Sequence, residues 1–399
     1  MKDRFRRARF ALAIALVLAA LGGALFWLGH RVRATPERPA LSVIELLSER
    51  NESAGYARAN APREFRFPGD HGPHPDFQTE WWYWTGVLDG PGDRTFGYQL
   101  TFFRFSLAPQ NDAAPRPSAW ATTDAYMAHF TLTDERSRTF RAFEHLSRQA
   151  LGLAGAEGAP FHVWVLDWDA RGPSRGDAAT PIHLRAEEGD VAVDLELDQG
   201  KPPVLQGDRG LSQKGREPGN ASYYYSLTRM PTRGSVTAGG VRFEVHGESW
   251  MDREFSTGAL EPGIVGWDWL GLALSGDREL MLYRLRRADG STDAMSGGTL
   301  VEPDGSARRL AAGDVRVTPL ATWQSPKTGA RYPTSIRLSV PGAGIDVRVT
   351  PFLEEQEIDL SFRYWEGAVR VQGEPGSSVS SGRGYLELTG YGEGAAPAR

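Results

Sequence analysis

The 399-residue sequence contains no cysteine and only eight histidines. Without thiols the chain cannot form disulfides, thiolate zinc sites, iron–sulfur clusters or a cysteine nucleophile. The sequence also lacks a G-x-x-x-x-G-K-[ST] phosphate loop, an H-E-x-x-H zinc motif and a G-x-G-x-x-G dinucleotide fingerprint. We therefore expect no metal and no cofactor, and any chemistry must rest on carboxylates, histidines, arginines and aromatic side chains.

Positive charge is scarce outside the N-terminus. The chain has 45 Lys and Arg against 50 Asp and Glu, and residues 1–34 hold seven of the basic residues but a single acid, Asp3. The remaining 38 basic and 49 acidic residues give a net charge of −11. Such an acidic body repels a phosphate backbone, which argues against nucleic-acid binding.

One long apolar run is present, Phe10–Gly29, twenty residues without a charge. As a helix rising about 1.5 Å per residue it would span a bilayer core, and the basic residues before it should stay cytoplasmic. Residues 1–34 therefore predict either a transmembrane anchor in the inner membrane or a signal peptide cleaved after Ala34. In both cases the body faces the periplasm, and the polar residues 35–66 predict a tether.

Short apolar segments bounded by Gly, Pro, Asp and Asn follow one another from residue 78 onward, a pattern typical of an all-β chain. Trp81–Leu88 and Thr95–Leu107 predict the first hairpin. About seven or eight strands in each half predict two antiparallel β-barrels or two curved sandwiches. Arg229–Gly240 is the candidate link between them, and the long irregular segment Asp198–Gly219 is either functional or disordered.

Two acidic segments are candidates for catalysis. Asp268 shares an apolar strand face with Leu270; there it either has a raised pKa, which suits a general acid, or is paired with a cation. The segment Asp252-Arg253-Glu254 places three charges between Trp250 and Phe255. This arrangement indicates either a solvated turn or a partly buried site.

A further pair of charges lies on apolar strand faces. Glu80 shares a face with Trp82 and Trp84, and Arg104 occupies the neighbouring strand. Because an isolated buried charge is very costly, the two should pair, either as a structural ion pair or facing a ligand. His129, inside a predicted strand, is interpreted as a core residue. Further aromatic residues that could contact a ligand are Tyr223, Tyr225, Trp250, Trp267 and Trp269.

Several longer segments resemble a known family. They are FPGDHGPHPDFQTEWWYWTG (67–86), KPPVLQGDRGLSQKG (201–215), GNASYYYSLTR (219–229), GESWMDREFST (247–257), GWDW (266–269) and ELMLYRLR (279–286). In these segments the chain resembles the lipocalin-like AttH family, which is related to the carotenoid 1,2-hydratases (CrtC). The resemblance covers roughly residues 60–392 and implies two tandem lipocalin-like barrels. We expect the CrtC N-terminal domain at 67–230 and a C-terminal domain at 236–392.

The resemblance implies two functions. Carotenoid 1,2-hydratases add water across a terminal C=C bond without a cofactor, which implies that Asp268 or Asp252 protonates an alkene while Glu254 or a tyrosine hydroxyl holds the water. The matching segment carries Arg253 and Phe255 where those enzymes have His and Trp, so a permanent cation replaces a titratable imidazole. Other members are exported proteins that accompany ABC-type permeases. They imply a module that holds a lipid or isoprenoid-like molecule inside a barrel.

Overall fold

The computed structural model describes residues 54–109, 118–174, 180–258 and 260–392. The predicted anchor or signal peptide (1–34), its apolar run (10–29) and most of the predicted tether (35–66) lie outside the described residues. Within the described ranges, no helix combines the length and apolar character needed to cross a bilayer. Helical structure there is limited to short 3-10 turns, such as Gly69–His71 and Ala312–Asp314.

The described residues form two antiparallel sheets, as the sequence predicts for an all-β chain. The first sheet has 13 strands in the order β4-β3-β2-β1-β13-β12-β9-β8-β7-β6-β5, with β10 and β11 pairing with β12. Its strands are β1 (Thr79–Gly90), β2 (Arg94–Ser106), β3 (Asp124–Asp134), β4 (Thr139–Arg148), β5 (Ala154–Gly158), β6 (Phe161–Val165), β7 (Trp168–Arg171), β8 (Ile182–Glu188), β9 (Val191–Leu197), β10 (Val204–Leu205), β11 (Leu211–Gln213), β12 (Ala221–Ala238) and β13 (Val241–Ser256).

The second sheet has 10 strands in the order β17-β16-β15-β14-β23-β22-β20-β19-β18, with β21 pairing with β22. Its strands are β14 (Ile264–Leu274), β15 (Arg278–Arg287), β16 (Gly297–Val301), β17 (Ala307–Ala311), β18 (Arg316–Gln324), β19 (Arg331–Val340), β20 (Ile345–Pro351), β21 (Glu357–Asp359), β22 (Arg363–Gly373) and β23 (Ser381–Thr389). The first sheet is a nearly closed barrel and the second a half-barrel, which matches tandem lipocalin-like barrels.

Alternating residues of each strand face two different environments, because successive side chains of a strand point to opposite sides. In β1, Trp82, Trp84 and Leu88 point into the rolled first sheet and are fully buried in its core. The residues between them, Trp81 and Tyr83, pack instead with side chains of the second sheet. Large side chains thus fill the first barrel, one of the two in which the resemblance would allow a ligand.

The division between the sheets differs from the predicted domain boundary. Residues 229–240, suggested as a link, belong to the β12–β13 hairpin, which turns at Gly239 and Gly240 with positive φ at both. Such a turn favours glycine. Because flexible linkers are also rich in glycine, the composition of residues 229–240 does not distinguish a hairpin turn from a link between domains. Strand β13 also pairs with β1. The first sheet therefore continues to Ser256, and the second begins at Ile264.

Residues 198–219 form an ordered segment, here called the strap, that contacts both sheets. Its short strands β10 and β11 pair with β12 of the first sheet. Lys201 Nζ lies 3.0 Å from the Glu279 carboxylate of the second sheet. The Gln206 side chain donates to Ser226 at 2.8 Å and accepts from Thr299 at 2.6 Å, which joins the two sheets through one residue.

Candidate functional site

A chamber of about 140 Å³ lies between the two sheets and is lined mainly by apolar and aromatic side chains. Its walls are the faces of β1, β2, β3, β12 and β13 on one side and of β14, β15, β22 and β23 on the other. An apolar cavity of about 150 Å³ can hold a molecule the size of benzene. This space lies between the two sheets, whereas the resemblance implies a ligand inside one of the barrels without indicating which.

One transverse row of side chains crosses the first sheet and carries many of the chamber's polar groups. The register sets Tyr83 opposite Thr101 on β2 and Asp252 on β13. Further along the row, His129 lies opposite Thr101, and Glu144 lies opposite His129. Register partners on adjacent strands point to the same side of a sheet, with about 4.8 Å between strands. Asp252 and His129 are thus about 14 Å apart along the sheet.

A second row on the facing sheet completes the chamber. Glu366 lies opposite Glu387, which in turn lies opposite Trp269, which lies opposite Tyr283. All four line the chamber. Hydrogen bonds connect the two rows: the Tyr83 hydroxyl donates to Glu366 Oε1 at 2.6 Å. The chamber therefore brings together acidic groups from both halves of the chain.

Asp252 is a buried carboxyl in the chamber wall, 4% exposed. The hydroxyls of Tyr224 and Ser226 donate to it at 2.6 and 2.5 Å, and Trp250 Nε1 donates at 2.7 Å. In the described part of the chain no Lys, Arg or His nitrogen forms an ion pair with it. Burial raises the pKa of Asp252 to about 7, against the opposing effect of these hydrogen bonds. The group can therefore hold a proton near neutral pH and release it into an apolar space.

Glu366 and Glu387 form a second acidic feature, a pair of carboxyl groups on adjacent strands. Burial raises the pKa of both groups. Repulsion from Glu387 adds to the rise for Glu366, whose pKa lies well above the ordinary range, and repulsion from Asp252 and Glu254 adds to the rise for Glu387, whose pKa is about 8. Trp267 Nε1 donates to Glu387 Oε1 at 3.2 Å, which partly offsets the rise. Because two neighbouring carboxylates cannot both be charged at low cost, the pair retains a proton near neutral pH.

His129 connects a chamber tyrosine to a carboxylate. The Tyr364 hydroxyl lies 2.7 Å from His129 Nδ1, and His129 Nε2 lies 3.0 Å from Glu144 Oε2. Ser361 fixes Glu144 through a hydroxyl hydrogen bond of 2.6 Å. When Nε2 donates to Glu144, Nδ1 of the neutral ring accepts from Tyr364. The pKa of Glu144 is lowered, since these hydrogen bonds outweigh its burial, and His129 is a chamber residue as well as a buried one.

Glu254 also lines the chamber, but it is paired. The Ser222 hydroxyl donates to Glu254, and Lys214 Nζ lies 3.4 Å from the same carboxylate. Lys214 belongs to the strap, and its ammonium group lies 4.1 Å from the centroid of the Tyr283 ring. The strap thus supplies a cation at the chamber wall, which the composition of this segment alone does not reveal.

Arg253, predicted as catalytic, points away from the chamber. It is fully buried, donates to Gly72 O at 2.7 Å and lies 4.0 Å from the Trp82 ring centroid. Arg253 and Arg104 both donate to the Glu80 carboxylate. Burial of Glu80 would raise its pKa, but the two guanidinium groups hold that pKa far below its usual range. The predicted pairing of Glu80 with Arg104 is thus present, as a buried structural ion pair and not as a pair that faces a ligand.

Four other predicted ligand residues of the first sheet, Trp82, Trp84, Tyr223 and Tyr225, also do not line the chamber. Trp82 and Trp84 are core residues of the first barrel. The Tyr223 hydroxyl donates to Ala61 O at 2.8 Å, and that of Tyr225 donates to Asp70 O at 3.1 Å. These rings pack in the first sheet, since odd and even residues of β12 face opposite sides; Tyr224, between them, is the one that lines the chamber.

Asp268 lies on the opposite face of β14 from Trp267 and Trp269, inside the half-barrel of the second sheet. Arg284 Nε donates to it at 2.7 Å, Arg286 Nε at 3.1 Å and the Tyr391 hydroxyl at 2.9 Å. A general acid needs a carboxyl free of cations, whereas both oxygens of the Asp268 carboxyl accept from guanidinium groups. Of the two predictions for Asp268, the structure supports the paired carboxylate.

The structure therefore brings together only part of the predicted site: Asp252, Glu254, Trp267 and Trp269, with Trp250 behind Asp252. Six further side chains that line the chamber were not predicted as site residues: Tyr83, Tyr224, His129, Tyr364, Glu366 and Glu387. The sequence does contain a signal for them. On the side of each strand that faces away from the barrel interior, where a single barrel would contact solvent, these strands carry tyrosines and acidic residues. Recognising that face requires knowing that another sheet covers it.

Comparisons with known proteins agree with this architecture. A family model described as AttH-like matches residues 58–391. The crystal structure of a protein designated AttH from Nitrosomonas europaea shares 32% sequence identity, with a TM-score of 0.74 over 84% of this chain and 99% of that one. Kievitone hydratase from Nectria haematococca shares 15% identity, with a TM-score of 0.62 over 84% of this chain and 95% of that one.

A third solved structure, that of CghA, shares 15% identity with a TM-score of 0.52 over 86% of this chain and 97% of that one. At these identities the hydratase and CghA show the fold alone. No curated protein matches the sequence.

Proposed function

The chain belongs to the AttH-like family, and from that premise we propose that it binds an apolar alkene in the chamber and adds water to it without a cofactor. The observation that carries this proposal is Asp252, a buried carboxyl with a pKa of about 7 and no cationic partner among the residues that the structure describes, in the wall of an aromatic chamber. The similarity of fold to kievitone hydratase, whose name states a hydration, supports the reaction class.

The first step is protonation of the double bond. Asp252 gives its proton to one alkene carbon, the π electrons form the new C–H bond, and the adjacent carbon becomes a carbocation. The carboxylate left on Asp252 is stabilised by the donors that already surround it, Tyr224, Ser226 and Trp250. A raised pKa before transfer and three donors after it fit a general acid.

The second step is capture of the cation by water. The aromatic rings of Trp269 and Tyr83 line the same space, and a ring face turned to the positive charge would stabilise it by about 2 kcal/mol when desolvated. A water molecule adds its oxygen to the cationic carbon and loses a proton to the carboxylate of Glu254, which lines the same chamber and is paired with Lys214. Return of that proton through water to Asp252 restores the enzyme, so one water is consumed per double bond and nothing is oxidised or reduced.

Isotope labelling tests the proposal. The full chain is incubated in H₂¹⁸O with a small branched alkene of about the size of benzene, such as 2-methyl-2-butene, and the alcohols are analysed by mass spectrometry. We expect ¹⁸O in the product from the wild type, none from Asp252→Asn, and undiminished turnover from Asp346→Asn, the same change at a carboxylate outside the chamber that pairs with Arg337. Alkene binding should survive in Asp252→Asn.

Turnover by Asp252→Asn at the wild-type rate would refute the assigned role. Alkene binding without any product in the wild type would favour a carrier of hydrophobic molecules, the other function that the resemblance implies. The permease partner, the membrane anchorage through residues 10–29 and the periplasmic location stay predictions, because no feature of the described residues bears on them.

A further inference from the structure

The half-barrel of the second sheet contains a cavity of about 320 Å³ that the proposed reaction does not use. This volume lies within the range of small-molecule sites, about 300–1,000 Å³. Its apolar lining includes Leu270, Leu282, Val317, Ile336 and Leu386. Unlike the interior of the first barrel, this interior is therefore not filled by side chains of the protein.

The cavity is on the opposite side of β14 from the chamber. Trp267 and Trp269 line the chamber, whereas Asp268 and Leu270 line the cavity. Tyr283 is a lining residue of both, at the boundary between the two spaces. Around the rim of the cavity, Gly313 and Pro319 are exposed, which gives a ligand access from solvent without passing through the chamber.

A positively charged cluster borders this apolar space. Arg284 and Arg286 both pair with Asp268, and in the described part of the chain neither guanidinium has a second carboxylate partner. The cluster therefore carries one net positive charge. Arg284 lines the cavity and donates through Nε and Nη2 to Asp268 and, at 3.5 Å, to the Tyr391 hydroxyl.

The Nη1 group of Arg284 has no hydrogen-bond acceptor among the described residues. A guanidinium that is 21% exposed and incompletely bonded at the edge of an apolar cavity suits an anionic group. A cationic ligand would add to the existing positive charge, and a neutral one would leave that charge uncompensated. A singly charged carboxylate balances the one net positive charge of the cluster, whereas a doubly charged phosphate would exceed it.

We propose that this cavity is a second binding site, for an amphiphile with one carboxylate and an apolar body, that is, a fatty acid. Its carboxylate contacts Arg284, and its hydrocarbon chain lies between Leu282, Val317 and Ile336. The site does not depend on the proposed hydration, because it shares no acidic group with the chamber.

Calorimetric titration of the full chain with dodecanoate and with dodecanol tests the site. Arg284→Gln should weaken dodecanoate at least about tenfold, the loss expected for a charge-assisted hydrogen bond, and change dodecanol less than about threefold. Arg284→Lys, which keeps the charge, should recover part of the dodecanoate affinity. Val317→Trp, at a half-buried position of β18, fills the cavity and should weaken both ligands.

Thr101→Phe is the matched control, because it fills the chamber instead of the cavity. It should leave dodecanoate affinity within about twofold of the wild type, and thermal unfolding verifies that each variant is folded. Loss of dodecanoate binding in Thr101→Phe but not in Val317→Trp would place the ligand in the chamber and overturn the proposal. Equal weakening of the acid and the alcohol by Arg284→Gln, or no dodecanoate binding by the wild type, would overturn it as well.

Discussion

Replacing Asp252 by asparagine should stabilise the protein at alkaline pH while it abolishes turnover. Asparagine has nearly the same shape and remains neutral. Burial raises the pKa of Asp252 from 3.8 to about 7, so the folded protein holds this proton over a pH range in which the unfolded chain has already released it. The carboxyl therefore favours folding at low pH, and that contribution is lost as the pH rises from about 4 to about 7.

The size of the effect follows from the shift. Each pKa unit corresponds to about 1.4 kcal/mol, so the wild type loses at most about 4 kcal/mol across this range because of Asp252. The asparagine variant does not pay this penalty. Its amide can still accept from Ser226 and Trp250 and can donate to the Tyr224 hydroxyl, so the two proteins should have similar stability at pH 4 to 5.

Urea denaturation of both proteins from pH 4.5 to 8.5 measures the difference in the free energy of unfolding. Taking the difference removes most of the contribution of groups that both proteins share. We expect the variant to gain stability relative to the wild type as the pH rises, with a plateau above pH 8. A difference that is constant with pH, or a variant that becomes relatively less stable on the alkaline side, would refute a raised pKa at Asp252.

Three further outcomes test other parts of the structure. Glu387→Gln should raise the thermal unfolding temperature more at pH 8 than at pH 5, since the raised pKa values of the Glu366–Glu387 pair mean that its stabilising protonation is lost as the pH rises. Trp84→Ala should lower the free energy of unfolding by about 3–5 kcal/mol in urea, because it leaves a cavity in the first barrel. Arg253→Met should lower the free energy of unfolding by about 3–5 kcal/mol, because it leaves buried Glu80 with one cation fewer. Circular dichroism at decreasing pH should also show that this variant unfolds at a higher pH than the wild type, because the depressed pKa of Glu80 stabilises the fold only above that pKa.

Much of the fold could be predicted from the sequence because strand patterning is local. The hairpin of β1 and β2 and the apolar face of Trp82, Trp84 and Leu88 follow from alternation alone. Alternation also placed Asp268 correctly on the face of Leu270. What alternation does not reveal is which side chains meet on a face, so the pairing of Asp268 with two arginines of β15 was one of two alternatives that the sequence left open.

The chamber could not be predicted for a related reason. Its acidic groups come from strands far apart in the chain, such as Asp252 on β13 and Glu366 on β22, and their proximity depends on how two whole sheets pack. The same long-range packing explains His129, which pattern analysis treats as an ordinary core residue. Its bonds to Tyr364 and Glu144 connect both sheets.

The division of β1, β2 and β13 into one face for the barrel interior and one for the chamber has an evolutionary consequence. Every second residue of these strands packs in the barrel interior, and the residues between them line the chamber. Substitutions at Tyr83, Thr101 or Phe103 can change the shape of the chamber for a different ligand, while Trp82, Leu100 and Phe102 keep the barrel core unchanged. Relatives of this protein can therefore diverge in chemistry faster than in architecture.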